Sequence, residues 1–263
     1  MSQMISRRSF LKLSAAAFAG LAAPGLSRRP PFTGLYGRAL LIYVSIYSRP
    51  SVFGRVVDTF DFDEVRPLYE TVTGEDDNSQ PRDWWRSDGG FVYRTNVQPV
   101  TYTLHRPLRE LPATGQLVEI SVPFADAYRN ARARGEPRYR LYYRTTHWAT
   151  VLETDAAGRR WYGLYDDRFD ETYYIRAEVA RPVADAELTP LAAAVPPDQK
   201  RIELDTSGMW LYAYEGETRV RTTRMSAGAI FRLADGTVKD YRTPTGEFVN
   251  DRKRPSRHMA AGD

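Results

Sequence analysis

The chain has 263 residues, of which 42% are hydrophobic and 13% aromatic, a composition typical of a globular protein and not of a disordered one. Its formal net charge is +4, but three positive charges belong to Arg7, Arg8 and Lys12 in an acid-free stretch of 26 residues, so the remainder carries only +1. A nearly neutral chain lacks the electrostatic drive for phosphate backbones, which argues against nucleic acid as a partner. The chain contains no cysteine, which excludes disulfides, thiol catalysis and cysteine metal sites within it.

The N-terminal stretch has the pattern of an export signal. Arg7 and Arg8 stand in SRRSFLK, ahead of a weakly hydrophobic, alanine-rich run that ends near Leu26. This pattern resembles a twin-arginine signal peptide, with a basic amphipathic N-terminus as the alternative interpretation. The run is shorter than the ~20 apolar residues of a spanning helix, so no stable membrane span is expected unless the leader is retained. We expect residues 1–26 to direct export to the periplasm or cell wall, and residues 27–34 to be a linker.

The region from residue 35 to about 195 alternates short apolar runs with turn residues. Ala39–Tyr47, Arg55–Phe60 and Gly90–Val100 are β-branched or aromatic runs bounded by Gly, Pro, Asn or Asp, which predicts strands. Only Ala125–Arg134 and Asp185–Ala194 have the pattern of brief helices. With 17 Tyr and 5 Trp as well, the chain is predicted to be mainly β.

Two stretches in this region follow the same order of residues. Trp84–Val100 and Trp161–Val183 each begin at a Trp with an aromatic neighbour, pass through an Asp-containing turn and a Tyr-containing strand, and leave through Pro-Val. Duplication of a small β module explains both stretches. Their order of residue types resembles that of bacterial SH3-like modules, which are small barrels often carried by exported wall proteins. The resemblance implies two SH3-like barrels, at residues 35–108 and 109–184.

The aromatic residues and histidines of these modules can have a structural or a functional role. Four tryptophans can line a groove for peptide or glycan, or they can fill the core of a small barrel, which is the favoured interpretation. They are Trp84, Trp85, Trp148 and Trp161. His147 is predicted to be a strand residue that faces solvent or a hydrogen-bonded partner, and not a catalytic base. Because His105, His147 and His258 are scattered singly, the sequence predicts no metal centre and no cofactor.

The last part of the chain changes in character. Residues 185–199 are rich in Pro and Ala, which predicts a connector between domains. From Lys200 to Gly228, an alternating strand, the run MWLYAY and the run TRVRTTRMS are separated by short turns, which predicts a three-stranded meander. The Pro-Thr-Gly turn within Thr243–Gly246 is predicted to open a further strand.

This part resembles the opening of the YkuD-type L,D-transpeptidase catalytic domain. Four landmarks stand in the order of that family: the strand KRIELD, the strand segment Leu211–Glu215, the Ser-x-Gly at Ser226–Gly228 and the turn Thr243–Gly246. Each landmark alone is ordinary strand or turn chemistry, whereas their joint order behind an export signal and repeated modules favours the family. The resemblance implies that residues 200–263 are the N-terminal part of an incomplete, β-rich transpeptidase domain.

The chemistry that the resemblance implies requires residues that this chain lacks. In the family, the Cys of a Ser-His-Gly-Cys run attacks a peptide carbonyl, a His acts as its base, and backbone N–H groups stabilise the oxyanion. No such run occurs here, so the domain is expected to be truncated, with its catalytic His and Cys beyond Asp263, and the chain as given is expected to be inactive. No catalytic residue is assigned in it. Arg254, Arg257 and His258 are the candidate rim for peptidoglycan stem peptides, although a solvated loop residue is the simpler interpretation of His258.

Three functions are compatible with these features. The first is an exported parent enzyme that cross-links stem peptides of the cell wall through a Cys acyl-enzyme. The second is a non-catalytic wall-binding protein, in which the SH3-like pair binds the wall and the C-terminal segment is vestigial. The third is a purely structural envelope protein. Nothing in the residue pattern indicates an oligomeric state.

Overall fold

The protein is mainly β, as the sequence predicts, and its strands pair in antiparallel sheets. The computed structural model describes residues 32–76, 82–132, 135–250 and 252–258. The predicted export signal with Arg7 and Arg8 lies outside the described residues. Short 3-10 turns join several strands, and within the described ranges no helix is long and apolar enough to cross a membrane.

Contacts divide the described residues into two compact units. The first comprises residues up to Thr103 together with Ser121–Pro123, and the second comprises Leu104–Ile120 and the chain from Phe124 onward. The strands of the first unit are β1 (Tyr36–Ala39), β2 (Tyr43–Tyr47), β3 (Val56–Asp61), β4 (Val65–Thr73), β5 (Asp83–Ser87), β6 (Gly90–Tyr93) and β7 (Val97–Val100). They form one sheet in the order β3-β2-β6-β5-β4-β1-β7, with a 3-10 turn at Arg94–Asn96 before β7.

Alternating apolar residues build the core of the first unit. Val44 and Ile46 in β2 share one side of the strand, because residues two apart in a strand point the same way. Phe60 in β3 lies directly opposite Val44, and all three side chains are buried. Trp84 of β5 is also fully buried, so the first Trp of the predicted repeat belongs to the core. Complete burial of one such side chain contributes about 1.5–3 kcal/mol relative to leaving it exposed.

The second unit begins with another seven strands. They are β8 (Gln116–Ile120), β9 (Phe124–Ala127), β10 (Tyr139–Tyr142), β11 (Thr146–Thr154), β12 (Arg160–Asp166), β13 (Glu171–Arg176) and β14 (Ala180–Pro182). Five of them form a sheet in the order β13-β12-β11-β8-β14, and β9 pairs with β10 in a separate ribbon. A 3-10 turn at Ala177–Val179 precedes β14. Trp161 in β12 is buried, like Trp84 in β5.

The two units repeat one topology. In the first unit β1 pairs with both β4 and β7, and in the second unit β8 pairs with both β11 and β14. The ribbon β2–β3 and the meander β4–β5–β6 correspond to β9–β10 and β11–β12–β13. The backbone agrees as well, because Asp63 and Arg144, each two residues ahead of the fourth strand, have left-handed φ angles of 65° and 63°. The structure therefore has the internal duplication that the residue order predicts.

The two units differ in the length of one hairpin. In the first unit, the β5–β6 hairpin closes with Ser87 opposite Gly90 and a tight turn between them. In the second unit, β12 and β13 continue beyond the equivalent position by two further pairs, the last being Asp166 opposite Glu171. The tip of the second hairpin, residues 166–171, therefore has no counterpart in the first hairpin.

The meander predicted from Lys200 is confirmed. β15 (Lys200–Asp205), β16 (Trp210–Glu215) and β17 (Thr218–Arg224) form a three-stranded antiparallel sheet. On one face, each aromatic ring of β16 lies under a guanidinium carbon of a flanking strand: Trp210 under Arg224 at 4.6 Å, Tyr212 under Arg219 at 5.4 Å, and Tyr214 under Arg201 at 4.0 Å. Such contacts contribute about 0.5–1 kcal/mol each at exposed sites. The opposite face carries Ile202 and Leu204, which are both exposed. A short hairpin of β18 (Ile230–Arg232) and β19 (Val238–Asp240) follows.

Three local predictions from the sequence are wrong. The helix predicted at Ala125–Arg134 does not form in its described residues, 125–132, because Phe124–Ala127 is a strand that pairs with β10 and buries Ala125 and Ala127 on one side. Cross-strand pairing thus overrides the helix preference of alanine. Of Asp185–Ala194 only the 3-10 turn Asp185–Leu188 forms. The strand expected after Gly246 does not form in the described residues 247–250.

Two isoleucines in the first unit test the placement of its core. Ile46 has 0% of its surface exposed and Ile42 has 72%. We expect Ile46→Ala to lower the free energy of unfolding by about 2–5 kcal/mol, because it removes buried methylenes and leaves a cavity. Ile42→Ala, the matched control, should change it by less than about 0.5 kcal/mol. Urea unfolding of the three proteins measures both values, and equal losses would contradict this core.

Candidate functional site

A cleft of about 830 Å³ opens in the second unit beside β10, β11 and the tip of the β12–β13 hairpin. A further wall is the segment Arg254–His258, which we call the strap. The lining is aromatic, hydroxylic and charged, with Tyr139, Thr145, His147, Asp166, Asp167 and Tyr173 at its centre. Ordinary ligand pockets measure about 300–1,000 Å³, so the cleft is large enough for a small molecule or a few residues of peptide.

Both ring nitrogens of His147 are engaged in hydrogen bonds. Thr145 donates its hydroxyl hydrogen to the carbonyl of Tyr142 at 2.7 Å, so Thr145 Oγ1 accepts from His147 Nε2 at 2.9 Å. His147 Nδ1 is then an acceptor, and the hydroxyl of Tyr173 donates to it at 3.2 Å. Burial is the main reason that the pKa of His147 falls to about 4. Both nitrogens of this neutral ring are occupied, so His147 is a hydrogen-bonded partner, the second of the two roles predicted for it.

Asp166 is a buried carboxylate at the end of β12. Its side chain has 0% of its surface exposed, and Oδ2 accepts from Nδ1 of His258 at 2.6 Å. Oδ1 accepts from the backbone N–H of Arg168 at 3.0 Å. Burial by itself raises the pKa of this carboxyl, but the hydrogen bonds from His258 and Arg168 outweigh burial and leave the pKa below its ordinary value. Asp166 is therefore ionised at neutral pH, and a buried charge of this kind requires the partners that it has.

Aromatic rings surround the imidazole of His258. Tyr139 meets it edge to face with ring centroids 5.7 Å apart, and Phe169 does so at 5.4 Å. Tyr139 also meets Tyr173 edge to face at 5.0 Å and donates its hydroxyl to Oε1 of Glu171 at 2.5 Å. Burial, followed by Glu171, raises the pKa of Tyr139 to about 12, so this phenol stays a donor. The subsite around His258 thus combines aromatic walls with a carboxylate floor.

The strap carries the three residues that the sequence proposes as a substrate rim. Arg254, Arg257 and His258 all line the cleft. Arg254 Nη1 lies 2.6 Å from Asp167 Oδ2, and His258 bonds to Asp166 as above. Arg257 is exposed at the cleft. The structure therefore brings the three residues together at one site, and their contacts are with the second unit's hairpin.

Backbone and hydroxyl contacts hold the middle of the strap against β11. Thr146 donates its hydroxyl to the carbonyl of Pro255 at 2.9 Å, and the hydroxyl of Ser256 donates to the carbonyl of Thr146. With the contacts of Arg254 and His258, four of the five strap residues are held, all except Arg257. It therefore runs along the cleft in the manner of a bound peptide.

The first unit fills the equivalent place with its own side chains. Arg66 and His147 are each the second residue of the fourth strand in their unit. Arg66 bonds to Glu64 at 2.9 Å and to Asp58 at 2.6 Å, and its guanidinium carbon lies 5.0 Å from the ring centroid of Phe60. These contacts satisfy the guanidinium within the unit, whereas the second unit leaves a cleft there.

Several site residues escaped the sequence analysis. Asp166, Asp167, Tyr139 and Tyr173 lie at the centre of the cleft, and none stands in a motif with a chemical meaning of its own. Their one signal is the longer Asp-containing turn DDRFDE in the second copy of the repeat, compared with SDGG in the first. An insertion in a surface turn of one copy marks a place where that copy can carry binding residues that the other copy lacks. Trp148 also lines the cleft, so the groove interpretation applies to this tryptophan, whereas Trp84 and Trp161 are core.

The arrangement is suited to binding. In the part of the chain that the structure describes, no group of three or more His, Asp or Glu side chains is placed to hold a metal ion. The cleft offers carboxylates, hydroxyls, a neutral imidazole and aromatic edges, which recognise amides and cations. No protein-family model matches the chain, and no curated protein is significantly similar to it in sequence.

The buried imidazole of His147 makes stability depend on pH. Its pKa of about 4 in the folded chain lies below the ordinary value of 6.5, so between these pH values the unfolded state binds a proton that the folded state does not. Stability is therefore lost as the pH falls from about 6.5 to about 4, by a total of roughly 3 kcal/mol for this group.

Urea unfolding of the wild type and of His147→Gln at pH 7, 5.5 and 4 measures this loss. Glutamine does not titrate, so acidification should lower the free energy of unfolding of the wild type more than that of His147→Gln. Both proteins have the same carboxylates, whose contributions cancel in the difference. A difference that stays constant with pH would contradict the burial of a neutral His147.

Proposed function

We propose that the chain is an exported cell-wall protein of the L,D-transpeptidase type, and that the cleft of its second unit binds stem peptides of peptidoglycan. The observation that carries the wall-binding part is the cleft itself, in which the predicted rim residues Arg254, Arg257 and His258 meet on one strap. Stem peptides offer backbone amides and free carboxylates, and an exposed guanidinium binds a carboxylate through two parallel hydrogen bonds. Arg257, which is exposed at the rim, is placed to do so.

The repeated module supports the same proposal. Each copy has a buried Trp in its second hairpin, Trp84 or Trp161, and a 3-10 turn before a short last strand. The SH3-like barrels that the order of residues resembles are also small antiparallel β modules. In the proposal the two copies are SH3-like wall modules, and the twin-arginine signal delivers them to the compartment where the wall is built.

Charge reversal at the rim tests wall binding. We expect the purified chain to co-sediment with peptidoglycan sacculi, and to lose this when an amidase has removed the stem peptides. Arg257→Glu should weaken binding by about tenfold, which corresponds to about 1.4 kcal/mol, because it places a carboxylate against the carboxylates of the ligand. Lys253→Glu is the matched control, since Lys253 is exposed in the same segment but does not line the cleft. Binding that survives amidase treatment, or equal losses in the two variants, would overturn this assignment.

One contact in the C-terminal part favours the transpeptidase relationship. Two of the family landmarks, 15 residues apart at Gly228 and Thr243, come together because the N–H of Thr243 donates to the carbonyl of Ala227 at 2.7 Å. Gly228 has φ of +73°, and a Cβ on it would lie 2.0 Å from the carbonyl oxygen of Tyr241, so only glycine fits. The Ser-x-Gly and the Thr-Pro-Thr-Gly turn are therefore parts of one local structure, which supports the proposal that they belong to one domain.

The enzymatic part of the proposal has a test that does not involve the cleft. The chain as given has no thiol, so we expect no covalent β-lactam adduct on it by mass spectrometry. A covalent adduct on this chain would show a nucleophile other than a thiol and would contradict the expected inactivity.

A further inference from the structure

The strap lies on the second unit as a ligand lies in a binding site. Arg254 contacts Asp167, Pro255 accepts from Thr146, Ser256 donates to β11, and His258 contacts Asp166. None of these contacts is with the strap's sequence neighbours, because they join residues separated by 87 to 110 positions. The strap therefore occupies a site that the rest of the unit has already built.

The hairpin tip provides the specific part of that site. Asp166 and Asp167 stand on the extension of β12–β13 that the first unit lacks. Asp166 is buried beneath His258, whose ring is held between Tyr139 and Phe169. A carboxylate below and aromatic rings beside it are the surroundings that favour a flat or compact cation. Asp167 adds a second carboxylate, which takes the guanidinium of Arg254.

We propose that Asp166, Asp167, Tyr139 and Phe169 form a subsite for the cationic side chain or free amine of an extended peptide, and that the strap is an internal ligand which occupies this subsite. A peptide that binds there has to displace His258 and Arg254 first. The subsite itself rests on the contacts of the strap, and only the identity of its external ligand, a wall peptide with a free amino group, rests on the proposed function.

The contacts of the strap differ in strength. Arg254 and Asp167 are both partly exposed, and pairs of this kind contribute about 0–1 kcal/mol. The hydrogen bond between His258 and Asp166 has one partner with no exposed surface, so water competes with it less. A tethered ligand also competes at an effective concentration on the order of millimolar, so an external peptide of similar affinity is largely excluded. His258 is accordingly the residue that closes the subsite, and Arg254 assists it.

Binding of the strap's own sequence in trans tests the subsite without any wall component. The probe is the peptide of residues 252–258, Arg-Lys-Arg-Pro-Ser-Arg-His, with acetylated and amidated ends, titrated into the full chain by calorimetry. We expect weak binding to the wild type and binding at least about tenfold tighter to the variant with both Arg254→Ala and His258→Ala, whose subsite is open. His258→Ala alone should give most of this gain and Arg254→Ala alone a small part.

Matched controls separate the subsite from a general attraction of charges. The variant with Lys253→Ala and Arg257→Ala loses two cations from the same segment but keeps both contacts with the carboxylates, so it should bind the probe as weakly as the wild type. Adding Asp167→Asn to the open variant should weaken binding several-fold, and a probe with Gln at the positions of Arg254 and His258 should not bind. Equal affinity of the open variant and the wild type, or no binding to either, would overturn the proposal.

The sacculus assay, run on the same proteins, tells the two proposals apart. If the probe binds the open variant but sacculi do not, the cationic subsite stands and the wall ligand is wrong. If sacculi bind and the probe does not, the wall ligand stands and the subsite is wrong. Near-ultraviolet circular dichroism of each variant confirms that the aromatic packing around Tyr139 is retained, and His258→Gln provides a milder change should the alanine variant lose that signal.

Discussion

In each unit the first strand pairs with both the fourth and the seventh strand, and the remaining structure depends on this pairing. β1 is held between β4 and β7, and β8 between β11 and β14. These contacts bring the start of a unit to its end, so the intervening strands can only continue the sheet outward or fold back as a ribbon. In β2 the period of two decides which residues enter the core, whereas in β12 the consecutive residues Trp161–Leu164 are all buried. Trp84 and Trp161 are buried at equivalent places, since each is the second residue of the fifth strand.

The same pairing explains why the second unit could gain a cleft without losing its fold. The hairpins β5–β6 and β12–β13 pair in the same way near Trp84 and Trp161, and they differ in length at their tips. Two added pairs at the tip of β12–β13 therefore leave the register of Trp161 unchanged. They carry Asp166 and Asp167 to a place where the strap can reach them. Function is added at the end of a hairpin because the core does not depend on it.

The sequence predicted the parts of the fold that depend on local patterns. The repeat, the mainly β class and the meander from Lys200 follow from periodicity and turn residues. Ala125–Arg134 could not be assigned correctly, since its strand is decided by pairing with β10 and not by its own preference for helix. The cleft was harder still, because Asp166 becomes meaningful only when His258, 92 positions away, lies against it. The rim residues follow from the resemblance to a family, whereas only the fold shows that Asp166 and Asp167 are their partners.

A single pair of equivalent positions shows how the two units divided their roles. Arg66 in the first unit carries a permanent charge, which requires carboxylate neighbours, and it forms ion pairs with Glu64 and Asp58. His147 in the second unit is neutral, and hydroxyls satisfy it. Asp166 and Asp167 of the second unit are therefore not needed to neutralise the side chain at this position, and they contact the strap instead. A neutral ring at one position thus leaves two carboxylates of the hairpin to meet a cation from another segment or another molecule.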